Sequence, residues 1–127
     1  MALELWRGWL ESGMGVVAPS LITWEVASAI RKAALRGGIP RSGVTDLYEE
    51  FQELPVELIP HVQLPSVAWE CFVLAYDLRI SPYDATYLAT ARLLDCDLWT
   101  ADERLMRTVG DALPWVRSLA EMAQDAP

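Results

Sequence analysis

The chain has 127 residues, 53% hydrophobic and 22% charged, enough for one domain to bury a core without disulfides or a structural metal. Its formal net charge of −8 excludes the basic footprint of an ordinary nucleic-acid binder, so action on RNA or DNA would need locally concentrated basic residues or bridging cations. No apolar run approaches the roughly 18 residues of a membrane span, and a start carrying Glu4 and Glu11 is not a signal peptide.

The only histidine is His61, and Cys71 and Cys96 show no CxxC pairing, which argues against structural zinc. Two free, mostly buried thiols in a reducing cytoplasm are the expectation. The acidity also suits a basic partner.

In chain order, residues 2–12 read as a short amphipathic helix with Leu3, Leu5, Trp6, Trp9 and Leu10 apolar, broken by Gly13 and Gly15. Val16 to Pro19 is a wholly apolar short strand of the kind buried on both faces. Ser20 has the chemistry of an N-cap for a helix running to about Arg36. That helix has Ile22, Val26, Ala29 and Ala33 as its core face and Glu25, Lys32 and Arg36 on one bordering stripe. After a glycine-rich link, a helix from about Val44 to Glu53 leads to a strand at Val56 to Ile59.

A linker with Pro60 and Pro65 then opens onto a helix from about Ser66 to Leu78, with Val67, Cys71, Leu74 and Ala75 on one face. Ser81-Pro82 starts the next helix, with proline at a position where its missing N–H costs nothing. That helix is apolar nearly all round and so reads as buried. Asp97 to Thr100 is a strand, a short helix follows from Ala101, and Trp115 to Ser118 is a last edge strand before a weakly helical tail. Strands alternating with helices argue for an α/β fold with a parallel sheet. Ligands sit beyond the carboxyl ends of strands in such sheets, where Glu25, Asp84 and Asp102 could converge.

Each of these acids has a structural explanation to weigh. Ser81 with Asp84, and Thr100 with Glu103, resemble capping boxes, and Asp102 would sit where a helix dipole favours an acid. Glu25 borders an apolar face and calls for either an ion-pair partner or a metal. Jointly the three fit a hard divalent cation, which wants carboxylate oxygens and retains waters. Lys32 and Arg36 could hold phosphates, although basic residues are favoured in a last helical turn anyway. The six tryptophans read as core and interface, and His61 as a surface residue. Dinucleotide, NTP and serine-hydrolase motifs are missing.

The segments VAPSLITWEVASAIRKAALRGG and SPYDATYLATARLLDCDLWTADERL carry a further signal. A Glu in the helix after an APS strand end, a D-A-x-Y-L-A-x-A helix and a strand ending T-x-D-x-x-L resemble PIN-domain proteins of the VapC toxin type, over about Val16 to Leu105. The resemblance implies a PIN-like, Rossmann-like three-layer α/β fold with a short parallel sheet flanked by helices. It also implies a magnesium- or manganese-dependent ribonuclease, with Glu25, Asp84 and Asp102 as catalytic metal-site acids and Thr100 in support. A homodimer and inhibition by a small antitoxin protein are implied as well.

One departure bears on activity. Members of that family begin with a strand bearing an Asp, central in the sheet between the strands at Val16 and Asp97. Here no such strand precedes Leu3, and Glu4 and Glu11 are poor substitutes. The expectation is therefore a single PIN-like domain over residues 1–127, truncated at its N-terminus, with a slot of unpaired backbone groups. If the chain is whole, little or no nuclease activity and poor stability are expected. The alternative is a catalytically inactive interaction or dimerisation module; a nucleotide-binding domain has only topology behind it.

Overall fold

The computed structural model describes residues 2–60 and 65–121. The elements in order are α1 (Ala2–Glu11), β1 (Val16–Pro19), α2 (Ile22–Leu35), α3 (Arg41–Glu53), β2 (Val56–Ile59), α4 (Pro65–Leu78), α5 (Pro82–Leu93), β3 (Leu98–Thr100), α6 (Glu103–Val109) and β4 (Val116–Ser118). They fall into two compact units, one of Val16–His61 and one of Met1–Gly15 with Val62–Pro127. His61 lies outside the described residues.

In the Val16–His61 unit, β1 and β2 run parallel, with Val16 opposite Val56 and Pro19 opposite Ile59. A parallel pair needs a long crossover, which α2 and α3 provide. The Ser20 amide continues the ladder by donating to the Ile59 carbonyl at 2.8 Å. α2 starts beyond Ser20, so Ser20 is not the cap expected from sequence; the N-cap is Leu21, with no side-chain capping bond. The expected core face of α2 is shallow, with Ile22, Val26 and Ala33 half-buried and Ala29 exposed. α3 begins three residues before the expected Val44, with the extended Pro40 (φ −70°, ψ 162°) as its N-cap.

The second unit holds the main core. Leu74 of α4, Ala85, Leu88 and Ala89 of α5, Leu105 and Val109 of α6, and Val116 of β4 form one buried cluster. Ala85 and Ala89 lie one turn apart and, being small, let α4 and α5 approach closely. An ion pair from Arg92 to Glu70 at 3.4 Å crosses the same helix pair. β3 and β4 are parallel, with Leu98 opposite Val116 and Thr100 opposite Ser118. Trp9 of α1 meets Trp99 of β3 with ring centroids 6.0 Å apart, and the Arg117 guanidinium covers Trp99 at 4.4 Å. Asp97 holds Arg117 at 3.6 Å.

The strands form two parallel pairs, in accord with the expected α/β fold of short parallel strands among helices, and among the described residues no strand occupies the second edge of β1 or β3. Two expectations need correction. α5 is not buried all round: Tyr83, Leu93 and the following Leu94 are exposed, and its burial is confined to the face on the core. Trp24 and Trp69 are exposed, whereas Trp9, Trp99 and Trp115 are half-buried.

Both α4 and α5 end on a left-handed residue that is not glycine, Arg79 at φ 56° and Asp95 at φ 50°. Each turn is closed by a six-residue bond, Ile80 N–H to the Ala75 carbonyl at 3.2 Å and Cys96 N–H to the Ala91 carbonyl at 3.0 Å.

The cysteines are free, as expected, but Cys71 is half-buried and Cys96 exposed. Partial burial pushes both thiols above the ordinary value. Glu70 adds to this at Cys71 against an opposing hydrogen bond from Thr86, and Asp97 and then Asp95 add to it at Cys96. Because the thiolate is the nucleophile, alkylation of Cys96 by iodoacetamide should keep accelerating past about pH 8.5, the ordinary thiol pKa. Mass-spectrometric rates that level off below that pH would contradict this, as would Cys71 reacting faster than Cys96.

Candidate active site

Asp84 sits in the first turn of α5. Ser81 is extended (φ −67°, ψ 152°), its hydroxyl accepts the Asp84 N–H at 3.0 Å, and Pro82 opens the helix. The capping expectation at Ser81 is met on this side. The cap uses the Asp84 backbone only, and the half-buried Asp84 carboxylate has no hydrogen bond or ion pair with a described residue. Immediately behind it Ala85 is fully buried, which fixes the helix end rigidly in the core.

Asp102 has a different local role. It is the N-cap of α6, and its Oδ1 accepts the N–H groups of Arg104 and Leu105 at 3.0 and 3.1 Å. The expected capping box of Thr100 and Glu103 is therefore replaced by an aspartate cap, since Asp102 stands one residue before the helix, within reach of its free amides. Thr100, half-buried at the end of β3, accepts the Asp102 N–H on its Oγ1 at 3.0 Å and so sets the turn that presents Asp102. Oδ2 of Asp102 is not used by the cap, which leaves the exposed carboxylate one oxygen for a ligand.

Sequence reasoning missed the part played by Glu103. Its Oε1 accepts the Ser118 hydroxyl at 3.2 Å, and Ser118 Oγ accepts the Ala120 N–H at 3.1 Å. Ser118 is buried, so this chain of bonds ties the α6 end that carries Asp102 to β4. The sequence signal was present in the alternation of VRS, which turns Val116 and Ser118 to the same side.

Glu25, Lys32 and Arg36 belong to the other unit. Glu25 is an exposed first-turn acid of α2, and Lys32 and Arg36 are exposed at its C-terminal end. Positions i, i+7 and i+11 of a helix share one stripe. Arg31 and Arg41 are exposed too, so four of the ten Lys and Arg residues fall between 31 and 41, with no acid between Glu25 and Asp46. The sequence reading singled out two of these four cations; the acid-free interval was the signal for the others.

Among the described residues no three His, Cys, Asp or Glu side chains gather as a group able to hold a metal ion. The donors nonetheless suit a hard, hydrated dication, which can be held by one or two carboxylates with waters completing the shell. Asp84 offers a disengaged carboxylate and Asp102 a free oxygen, each on a rigid helix start.

A PIN domain model matches residues 2–111. VapC ribonuclease Mb0985 of Mycobacterium bovis and ribonuclease VapC9 of Mycobacterium tuberculosis are each 34% identical to the chain over 90 residues, covering 71% of it and 67% of the relative. This chain therefore belongs to the PIN-domain family and is a homologue of the VapC ribonucleases.

Proposed function

We propose that the chain is the toxin of a toxin–antitoxin pair, a magnesium- or manganese-dependent endoribonuclease acting on RNA phosphodiester bonds in the cytoplasm. What carries the reading is the Asp84 carboxylate, half-buried at the head of a core helix and without a hydrogen-bond partner among the described residues, in a homologue of VapC ribonucleases. Asp84, Asp102 and Glu25 are the acids assigned to the cation. When bound, such a cation supplies a Lewis acid for the phosphoryl oxygens and activates water as the nucleophile. Asp84 and Asp102 orient it, Thr100 holds the Asp102 turn, and a small basic antitoxin segment and a second copy of the chain are its protein partners.

RNA binding by a chain of net charge −8 needs the local cations of α2. Lys32 and Arg36, with Arg31 and Arg41 beside them, engage substrate phosphates. Each phosphate neutralised on a single strand contributes about 0.7 to the slope of log affinity against log salt. The double variant Lys32→Gln/Arg36→Gln should therefore lower that slope by about 1.4, read by fluorescence anisotropy of a labelled single-stranded RNA. An unchanged slope would remove both residues from the substrate path.

The absence of a three-ligand group among the described residues favours a second reading, an inactive PIN-fold module that retains only its interaction surfaces. Cleavage of RNA by the metal-stripped chain, with and without added magnesium or manganese, separates the two. Metal-restored cleavage that is lost in Asp84→Asn supports the enzyme; identical traces from both proteins support the module.

A further inference from the structure

Ser118 is the one buried polar side chain among the described residues, 6% exposed. A hydroxyl withdrawn from water needs partners for its proton and its lone pairs. Its oxygen accepts the Ala120 N–H at 3.1 Å, and that amide can only donate, so the hydroxyl proton is left for the Glu103 carboxylate at 3.2 Å. A bond to an ionised acceptor is of the stronger, charge-assisted kind. The helix dipole alone accounts for an acid in the first turn of α6. It does not call for a buried serine on another strand to hold that acid.

The bond matters because of where it stands relative to Asp102. Thr100 and Ser118 lie opposite one another in the β3–β4 ladder. Thr100 accepts the Asp102 N–H, and Ser118 donates to the Glu103 side chain, so two facing residues hold two consecutive ones. The bonds of the Asp102 turn, from Thr100 and to Arg104 and Leu105, span only two or three residues. Local bonds of that kind move with the segment that makes them. The Glu103–Ser118 bond spans 15 residues and reaches a strand whose Val116 belongs to the core cluster. Leu105 anchors α6 behind the cap by packing, and Ser118 anchors it at its first residue. Ligating carboxylates are oriented by such outer partners, and precise placement depends on them.

We propose that Ser118 is a positioning residue of the candidate active site: acting through Glu103, it holds the Asp102 cap in one setting and so keeps the second Asp102 oxygen presented to a ligand. The consequence for a cation rests on the metal-dependent reading above; the clamp itself does not.

Two measurements on the full chain test it. In the metal-free protein, amide hydrogen exchange followed by NMR should show Arg104 and Leu105 exchanging about tenfold faster in Ser118→Ala, beyond any change at Leu88, whose amide in the core of α5 reports the whole fold. Glu103→Ala, at an exposed position, should match it without disturbing the buried serine. Glu103→Gln loses the charge but keeps an oxygen for the hydroxyl, so its exchange should stay near wild type. Affinity for manganese alone, read from the electron paramagnetic resonance of the free ion, should fall about tenfold in Ser118→Ala, the lower end of the range for outer partners because Ser118 acts through Glu103. Exchange at Arg104 and Leu105 that rises only as much as at Leu88, in both Ser118→Ala and Glu103→Ala, overturns the proposal. So does faster exchange with unchanged manganese affinity in a protein whose wild type binds the ion. A wild-type chain that holds no manganese overturns the metal reading instead, and the exchange comparison still decides the clamp.

Discussion

Asp84→Asn should reduce metal-stimulated RNA cleavage by at least about 100-fold, since even partners of a metal ligand cost 10–100-fold when removed. Stability should barely change. The Asp84 N–H still donates to Ser81, and the carboxylate makes no other bond to a described residue, so only its favourable position near the helix dipole is lost, under about 1 kcal/mol. Asp102 separates two roles that Asp84 does not combine. Asp102→Asn keeps the oxygen that accepts from Arg104 and Leu105 and should lose activity alone. Asp102→Ala loses the cap as well, at a further cost of about 1 kcal/mol. Initial cleavage rates with thermal melts on all three proteins would test the pair. Wild-type rates in Asp102→Asn would restrict that residue to capping.

Leu88→Ala should destabilise the fold by about 2–5 kcal/mol, the range for emptying a fully buried aliphatic site. Leu88 is entirely excluded from water, lies one turn beyond Asp84 and belongs to the core cluster that also includes residues of α4, α6 and β4. Against a total of about 5–15 kcal/mol for a domain, this is a large fraction. Leu88→Met, which conserves volume, should cost less than about 1.5 kcal/mol. Urea unfolding followed by circular dichroism would measure both, and equal midpoints for Leu88→Ala and wild type would show that the α5 core face is not closely packed.

Much of this architecture was legible because particular residues speak for themselves. Ser81-Pro82 announced α5, and the segments VVAP and VELI announced β1 and β2 to the residue. The end of α4 at Leu78 was read to the residue, although Arg79 beyond it takes the left-handed conformation that glycine usually signals. Ser20 misled because the chain extends the β1 ladder through Ser20, whose amide donates to Ile59, and α2 starts only beyond Leu21, a pairing local sequence does not reveal. Asp84 was placed at a helix start and Asp102 just past a strand end from sequence, and that is where they lie. Which of the two carboxylates the backbone amides occupy was not legible, because it depends on the local turn.

The burial of α2, which carries Glu25, Lys32 and Arg36, and of α3 after it differs from that of α5 in kind. Neither α2 nor α3 contains a single buried residue, whereas α5 contains four. Segments with few buried apolar contacts open locally at a fraction of the global free energy. Warming this protein would then open the Val16–His61 unit first, and with it the cations proposed to hold substrate, while the hydrophobic cluster around Leu88 stayed closed. The temperature at which RNA binding fails would lie below the temperature at which the protein melts, a thermal fuse set by the thin packing of one crossover.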